Sequence, residues 1–223
     1  MLSIPILRVN KPIGVIALER LKSRSFTYSD ERLMQHLSST VGHFLLWQKE
    51  YHKMYESAIH DGLTGLLNHR AFMKRFEDEI SRAIRFHQNL VLVVLDLDKF
   101  KRINDTHGHL YGDYVIKTVG EIIQNSVRNI DVVARYGGEE FTVILVDTNQ
   151  SSSLVVAERI VRNVENYNFS LNGINEHISI SAGMSEFPGN SNELKSLIDF
   201  ADKAMYRAKN LGGNRVEVSS DNL

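Results

Sequence analysis

The sequence predicts an α+β (mixed α/β) domain in which one sheet carries helices on its faces. A buried strand is expected at 91–98, where five apolar residues lead into two aspartates. A hairpin is expected at 132–146, where apolar stretches flank the run GGEE. Amphipathic helical patterns separate these strands. The resulting order from about residue 58 is α-β-α-β-β-α-β-α-β, which is typical of a sheet with flanking helices.

The other elements of this domain follow from turn formers and apolar periodicity. A helix is predicted at 70–86, after the turn-forming segment HDGLTGLLNH. The polar stretch at 100–113 is predicted to be a loop, and a helix is expected at 114–128. The remaining predictions are a Ser-capped helix at 151–167, a strand at 177–187, a helix at 192–210 that Gly212 and Gly213 end, and a closing strand at 215–218.

A short β-β-α segment, residues 1–57, is predicted ahead of this domain. Two strands are expected within 4–21, around a turn at the NKP sequence of residues 10–12. Thr27 and Asp30 form a T-x-x-D helix start. A segment of this length is too short to form a stable hydrophobic core of its own. We therefore expect it to be part of a larger unit that ends in a linker helix.

Apolar residues recur every seven positions along the predicted linker helix. This spacing favours a parallel helix pair, although a single amphipathic helix docked on its own domain gives the same pattern. The seam positions are Leu37, Phe44, Tyr51 and Ala58, with Thr40, Trp47 and Met54 between them.

The composition is that of an ordinary globular chain and argues against several functions. The 223 residues carry a net charge of -1, so no strong field attracts nucleic acid or an anionic membrane. Without cysteine the chain has no disulfide, thiolate metal site or thiol nucleophile. No apolar run approaches the roughly 20 residues that span a bilayer, and no signal peptide pattern follows Met1. We therefore expect a cytoplasmic protein without nucleic-acid or membrane partners.

Two pairs of acids accompany the predicted strands. Asp96 and Asp98 share a face while their strand persists, and Glu139 and Glu140 lie at the hairpin tip. If the hairpin pairs beside strand 91–98, the acids meet at one edge and repel one another unless a divalent cation neutralises them. Such a site suits metal-assisted phosphoryl transfer. Each pair taken alone is also compatible with a solvated strand end or turn.

Four motifs in order carry a family resemblance. RYGGEEF at 135–141 follows DGLTGLLNHRAF and LDLDKFKRINDTHGHLYGD, and it precedes YRAKNLGGNRV. Together they resemble the GGDEF domain of diguanylate cyclases over about residues 58–219. The resemblance implies a palm-like nucleotide-cyclase sheet in a domain at 58–223. It also implies condensation of two GTP into cyclic di-GMP with release of two pyrophosphates, and the two-fold symmetry of that product requires a homodimer.

The resemblance also implies roles for the acids. Mg²⁺ (or Mn²⁺) is expected to bind Asp96, the main-chain carbonyl of Leu97, and Glu139. Glu140 is expected to accept the proton of the attacking 3′-hydroxyl, although the two glutamates could share these roles. The role of Asp98 is less defined than that of Asp96.

Substrate recognition is implied for a second group of residues. Asn104 and Asp113, with His109 nearby, are expected to bind the edges of guanine. A buried aspartate that accepts from guanine should reject adenine. Gly137 and Gly138 let the backbone approach a ligand closely. Without the resemblance, Asn104 is equally compatible with an ordinary turn and Asp113 with a helix N-cap.

The last helix supplies Lys209, which the family uses on the phosphates. A solvated lysine near a helix C-terminus is the alternative. The sequence departs from the common family pattern at Gly213, where many members carry an arginine that also meets the phosphates. Arg215 lies two residues further on and is not expected to substitute, so one phosphate contact is predicted to be lost.

Arg128 and Asp131 form an R-x-x-D motif that in the family binds product at an inhibitory site. A helix-end arginine paired with a turn aspartate is the alternative. Residues 1–57 resemble the last strands and last helix of a GAF sensor domain. The competing function is a catalytically weak or inactive GGDEF protein that acts as a cyclic di-GMP receptor.

Overall fold

The computed structural model describes residues 1–8, 11–19 and 25–220, and it divides the chain into two compact units, Met1–Ala58 and Ile59–Leu223. Residue 10, the first of the predicted NKP turn at 10–12, lies outside the described residues. Within the described ranges, no helix is long and apolar enough to cross a bilayer.

The first unit is a β-hairpin with one long helix. Strands β1 (Leu2–Arg8) and β2 (Lys11–Leu18) pair antiparallel, and α1 runs over Tyr28–Ile59. The predicted T-x-x-D start is confirmed, because the main-chain N–H of Thr27 donates to the Asp30 carboxylate at 2.6 Å. Helix α1 packs on the hairpin, where the Ser38 hydroxyl donates to the carbonyl of Pro5 at 2.7 Å.

The second unit confirms the predicted mixed α+β class. Its five-stranded sheet has the order β4-β5-β3-β8-β9, in which only β9 runs parallel to its neighbour. A separate two-stranded hairpin, β6–β7, stands beside it. The elements are α2 His69–Phe86, β3 Leu90–Leu97, α3 Phe100–His107, α4 His109–Asn125, β4 Val132–Gly137, β5 Glu140–Val146, α5 Gln150–Glu165, β6 Phe169–Leu171, β7 Ile174–Glu176, β8 Ile180–Phe187, α6 Leu194–Asn210 and β9 Val216–Val218.

Strand β3 is buried along its whole length because helices cover both faces of the sheet. Val91, Val93 and Leu95 belong to the core shared with α3, α4 and α5. Leu90, Leu92 and Val94 belong to the second core, shared with α2 and α6. Strand alternation therefore puts Asp96 on the face that α2 and α6 cover.

The stretch predicted as a loop at 100–113 is helical instead. Helix α3 occupies most of it, and α4 begins at His109, five residues earlier than expected. The polar sequence hides these helices because a few apolar residues anchor them to the core, among them Phe100, Ile103 and Tyr111. The two alternatives to the guanine-binding roles, an N-cap at Asp113 and an ordinary turn at Asn104, are excluded because both residues lie within helices.

Two smaller features also differ from the predictions. The N-cap of α5 is Asn149, whose side chain accepts from the main-chain N–H of Ser152, so the helix is not capped by serine. The β6–β7 hairpin was not predicted. Its strands have three residues each, too few for a clear alternation, and its only sequence signal is the turn Asn172-Gly173.

Candidate active site

Asp96 and Glu140 face each other across two neighbouring strands. Asp96 on β3 is the register partner of Glu140 on β5, and both acids lie near the ends of their strands. Opposed residues of an antiparallel pair have Cβ atoms about 5 Å apart. The main-chain N–H of Leu97 also donates to the carbonyl of Glu139, at 3.4 Å. The structure therefore brings together the two acid groups that the sequence placed in separate motifs.

Lys209 completes this acid group from α6. Its Nζ lies 2.5 Å from Oδ1 of Asp96, which is a buried residue. Burial raises the pKa of Asp96 above its ordinary value, the lysine opposes that rise, and the charge of Asp98 adds to it. The lysine thus compensates a carboxylate that is costly to bury.

Glu140 has the electrostatic setting of a proton acceptor. Burial raises its pKa above the ordinary value, and the negative charge of Asp96 raises the pKa further. Asp202 and Glu139 act on this pKa in the same direction, while Lys209 opposes them. A carboxylate whose pKa is shifted towards neutrality accepts a proton more effectively than an ordinary glutamate.

The turn that carries the two glutamates is held by a residue whose part was not predicted. Arg135 donates from Nε and Nη2 to the carbonyl of Gly138, at 3.0 and 2.7 Å, and its Nη1 donates to both carboxylate oxygens of Asp61 at 3.1 Å. Asp61 also accepts from the Thr64 hydroxyl at 2.7 Å. The DGLTG motif therefore holds the RYGGEEF turn in place. The sequence indicates this contact only through the opposite charges of Asp61 and Arg135.

Asp98 makes contacts that differ from those of a metal ligand. Its carboxylate accepts from the hydroxyls of Ser179 and Ser181, at 2.7 and 2.6 Å, and from the main-chain N–H of Asn214 at 2.9 Å. A Cβ atom at Gly213 would lie 2.9 Å from all three atoms of this carboxylate. Asp98 therefore ties the end of β3 to the start of β8 and to the turn after Lys209.

The predicted guanine-binding residues lie at the corner between α3 and α4. Asn104 packs against α4 so closely that a Cβ atom at Gly112 would overlap its carboxamide. Asp113 is the next residue along α4, and both Asp113 and His109 are exposed. The structure thus brings Asn104 and Asp113 to one corner, which follows directly in the chain from the acid-bearing end of β3.

The R-x-x-D motif lies at the opposite end of β5 from Glu140. Arg128 donates from Nη2 to Asp131 at 3.2 Å and to the carbonyl of Val146 at 2.8 Å. Asp131 has a side chain only 1% exposed and accepts in addition from the main-chain N–H of Val146. Strand β5 separates this motif from the acids by about 20 Å, at roughly 3.3 Å per residue.

The donor atoms at the strand ends fit a hard divalent cation. Among the described residues, no group of three or more His, Cys, Asp or Glu side chains is placed to hold a metal ion by itself. Mg²⁺, however, typically takes one or two carboxylates and completes its shell with water and substrate phosphates. Asp96, Glu139 and the Leu97 carbonyl are the oxygen donors at this edge that would suit such a cation, and the absence of cysteine excludes a thiolate site.

Comparison with known proteins gives a consistent picture. Residues 58–215 match the family described as "Diguanylate cyclase, GGDEF domain". The chain is 35% identical to diguanylate cyclase A of Treponema denticola over 225 aligned residues, 99% of this chain and 60% of that protein. It is 41% identical to diguanylate cyclase DosC of Escherichia coli over 159 residues, 71% of this chain and 34% of that protein. The chain thus spans less than two thirds of these relatives.

Solved structures of GGDEF domains are also similar to this chain. The coiled coil and GGDEF domain of DgcB from Caulobacter crescentus, in complex with c-di-GMP, superposes with a TM-score of 0.77 at 32% identity, covering 83% of this chain and 98% of that one. The active GGEEF domain of a diguanylate cyclase from Vibrio cholerae gives 0.66 at 30% identity, with 70% and 99% covered. The GAF resemblance of residues 1–57 stays a prediction. The chain therefore belongs to the family of diguanylate cyclase GGDEF domains.

Proposed function

We propose that this chain is a diguanylate cyclase that condenses two GTP into cyclic di-GMP and two pyrophosphates. The observation that carries the proposal is the facing of Asp96 and Glu140 across β3 and β5, with Lys209 beside them. The relatives from Treponema denticola and Escherichia coli are both named diguanylate cyclases. Two neighbouring carboxylates can bind a divalent cation and accept a proton, and a lysine beside them can neutralise phosphate charge. Phosphoryl transfer uses groups of these kinds.

The proposed reaction makes two identical bonds. The 3′-oxygen of each GTP forms a bond to the α-phosphorus of the other, the bond to the β-phosphate breaks, and pyrophosphate leaves. Glu140 takes the proton of the attacking hydroxyl, which its raised pKa favours. Lys209 neutralises charge on the phosphates. To do so, its ammonium group either leaves Asp96 or donates hydrogen bonds to Asp96 and to a phosphate at the same time.

A divalent cation, Mg²⁺ or Mn²⁺, is proposed as the cofactor. Asp96, Glu139 and the carbonyl of Leu97 would hold it. When bound, it supplies positive charge to the triphosphate and to the leaving pyrophosphate. Asp98 is left out of this ligand set because three hydrogen bonds already engage its carboxylate.

Guanine is proposed to bind at the α3–α4 corner. Asn104 and Asp113 would take the hydrogen-bonding edges of the base, with His109 close by, and the backbone at Gly137 and Gly138 would approach the phosphates. The close contact between Asn104 and α4 supports this scheme, because it places the carboxamide against Gly112, the residue before Asp113. An aspartate that accepts from the N1–H and 2-amino groups selects guanine over adenine.

Catalysis is proposed to require a homodimer, because each active site presents one GTP to the other. Helix α1 offers a surface for pairing. Phe44, Trp47 and Tyr51 lie along its predicted seam and are 58%, 63% and 58% exposed. The rings of Trp47 and Tyr51 stack at 5.5 Å, so the seam presents a continuous aromatic face. An exposed aromatic face of this kind on a helix favours association with a second copy.

GTP turnover measured against protein concentration tests both the activity and the dimer. With Mg²⁺ and GTP, the purified chain is expected to release pyrophosphate and cyclic di-GMP, at a rate that rises faster than linearly with protein concentration. A strictly linear rise would contradict dimer-dependent catalysis. Absence of both products would contradict the cyclase proposal and favour the receptor alternative, which predicts cyclic di-GMP binding without turnover.

Product inhibition is proposed at Arg128 and Asp131. A cleft of about 450 Å³ adjoins Asp131, and its walls include Arg75 and Arg82. The two guanidinium groups in its walls suit the phosphates of the product, while Arg128 itself is not among the described residues that line the cleft. Because Asp131 is already saturated by hydrogen bonds, the ligand would meet mainly the exposed face of Arg128.

Replacing Arg128 by alanine is expected to relieve product inhibition. The change removes a half-exposed guanidinium about 20 Å from Glu140 along β5, so turnover per folded molecule without added product should change little, while the loss of its hydrogen bonds to buried Asp131 lowers stability. Cyclic di-GMP is added to the pyrophosphate assay, and the concentration that halves the rate should rise about tenfold or more, the effect of one lost charge-assisted contact. Inhibition that is the same in variant and wild type would remove this motif from the scheme.

A further inference from the structure

The unpredicted β6–β7 hairpin is anchored to α3 through one carboxylate. Nε2 of His107 lies 2.7 Å from Oε1 of Glu176, and Nη2 of Arg102 donates to Oε2 of Glu176 at 3.3 Å. Glu176 is the last residue of β7, and its side chain is 21% exposed. A single glutamate therefore holds two residues of α3.

The same hairpin is anchored to α4 through two tyrosines. The hydroxyl of Tyr111 donates to the carbonyl of Phe169 at 2.6 Å, and that of Tyr114 donates to the carbonyl of Ser170 at 3.3 Å. Tyr111 is buried and its ring lies 5.2 Å from that of His107. Both helices of the corner are thus fastened to one small element.

These anchors lie within a turn of the proposed guanine-binding residues. Asn104 is one helical turn before His107, and Asp113 lies between Tyr111 and Tyr114 in the chain. Because the Asn104 carboxamide rests directly on α4 at Gly112, a change in the angle between the helices displaces it relative to Asp113. The spacing of these two residues therefore depends on what holds the helices together.

The charges of this contact favour a fixed geometry. The hydrogen bond with His107 and the neighbouring Arg102 hold the pKa of Glu176 below its ordinary value despite partial burial. An ionised carboxylate only accepts hydrogen bonds, so Nε2 of His107 carries the proton in this contact. Charge-assisted hydrogen bonds of this kind are stronger and more directional than neutral ones.

We propose that Glu176 is a positioning residue that sets the spacing of Asn104 and Asp113 by joining the β6–β7 hairpin to α3. The proposal rests on the proposed binding of guanine at this corner. Glu176 touches neither the acids nor Lys209 among its described contacts, so it acts on nucleotide binding rather than on the chemical step.

The test compares Glu176→Ala and Glu176→Gln with wild type in GTP turnover. Alanine is expected to raise KM for GTP about fivefold, the effect of one lost charge-assisted contact, while kcat at saturating GTP stays within about twofold. The preference for GTP over inosine triphosphate, which lacks the 2-amino group, should fall as well. Glutamine should restore part of both properties, because its carboxamide oxygen still accepts from His107.

A second measurement needs no nucleotide. Amide hydrogen exchange over residues 100–113 is expected to be faster in Glu176→Ala than in wild type and in the control Glu158→Gln, an exposed residue of α5. Unchanged exchange, an unchanged KM, or equal losses of kcat and thermal stability would overturn the positioning role. Absence of products from wild type would refute the cyclase proposal alone, since the exchange comparison still decides the role of Glu176.

Discussion

Replacing Glu140 by glutamine is expected to abolish cyclic di-GMP formation while leaving the fold intact. Glutamine matches glutamate in shape but cannot accept a proton, so the loss of general base catalysis should lower kcat by about 10²–10⁴-fold. Removing this half-buried charge beside Asp96 also relieves repulsion, so thermal stability should not fall. The measurement is pyrophosphate release at saturating GTP, together with the thermal unfolding midpoint.

A matched control for this change is Glu77→Gln. Glu77 is exposed on α2, and among its described contacts its side chain makes only a weak 4.0 Å ion pair with Lys74. The control should keep wild-type kcat, which separates the chemistry of position 140 from a general effect of losing a negative charge. Turnover of Glu140→Gln at the control level would refute the role of proton acceptor.

Replacing Asp96 by asparagine is expected to lower turnover about 100-fold and to raise the Mg²⁺ concentration required for half-maximal rate. Such a loss corresponds to about 2.7 kcal/mol of transition-state stabilisation. The change removes a proposed cation ligand and also the charge that Lys209 pairs with. Turnover is measured over a Mg²⁺ titration, and chelation of the cation with excess EDTA should stop wild-type turnover as well.

The control for this variant is Asp78→Asn, which exchanges the same residue types on the exposed face of α2. Asp78 pairs with Lys74 at 2.9 Å, and such an exposed pair contributes little. Its Mg²⁺ dependence should match wild type. If Asp96→Asn also retained the wild-type rate and Mg²⁺ midpoint, the cation would have to bind elsewhere, and the proposed ligand set would be wrong.

The sequence predicted the sheet and its acid-bearing edge because these depend on patterns within single segments. The apolar run of β3 and the glycine pair of the β4–β5 hairpin are visible without any partner. The helices at 100–113 were missed because only Phe100, Ile103 and Tyr111 among their residues are clear anchors, and the intervening side chains are polar. The polar local sequence suggested a loop, whereas packing of a few buried side chains against the core stabilises the helices.

Contacts between distant segments could not be predicted from the residues alone. The bridge from Arg135 to Asp61 joins positions 74 residues apart, and the contacts of Asp98 with Ser179 and Asn214 span 81 and 116 residues. Nothing in a single motif indicates these partners, because each depends on strand order and on where α6 ends. Resemblance to a family supplied roles for Asp96 and Lys209, but only the fold brings their side chains together.

The glycine at position 213 has a consequence for engineering substrate affinity. Its backbone adopts φ +75°, and the carboxylate of Asp98 fills the space where any side chain would begin. Placing at this position the arginine that the family resemblance leads us to expect would therefore force the loop to adopt another conformation before the new charge could reach a proposed phosphate. If this chain binds GTP as proposed, substitutions that tighten its hold on the triphosphate are expected at positions other than 213.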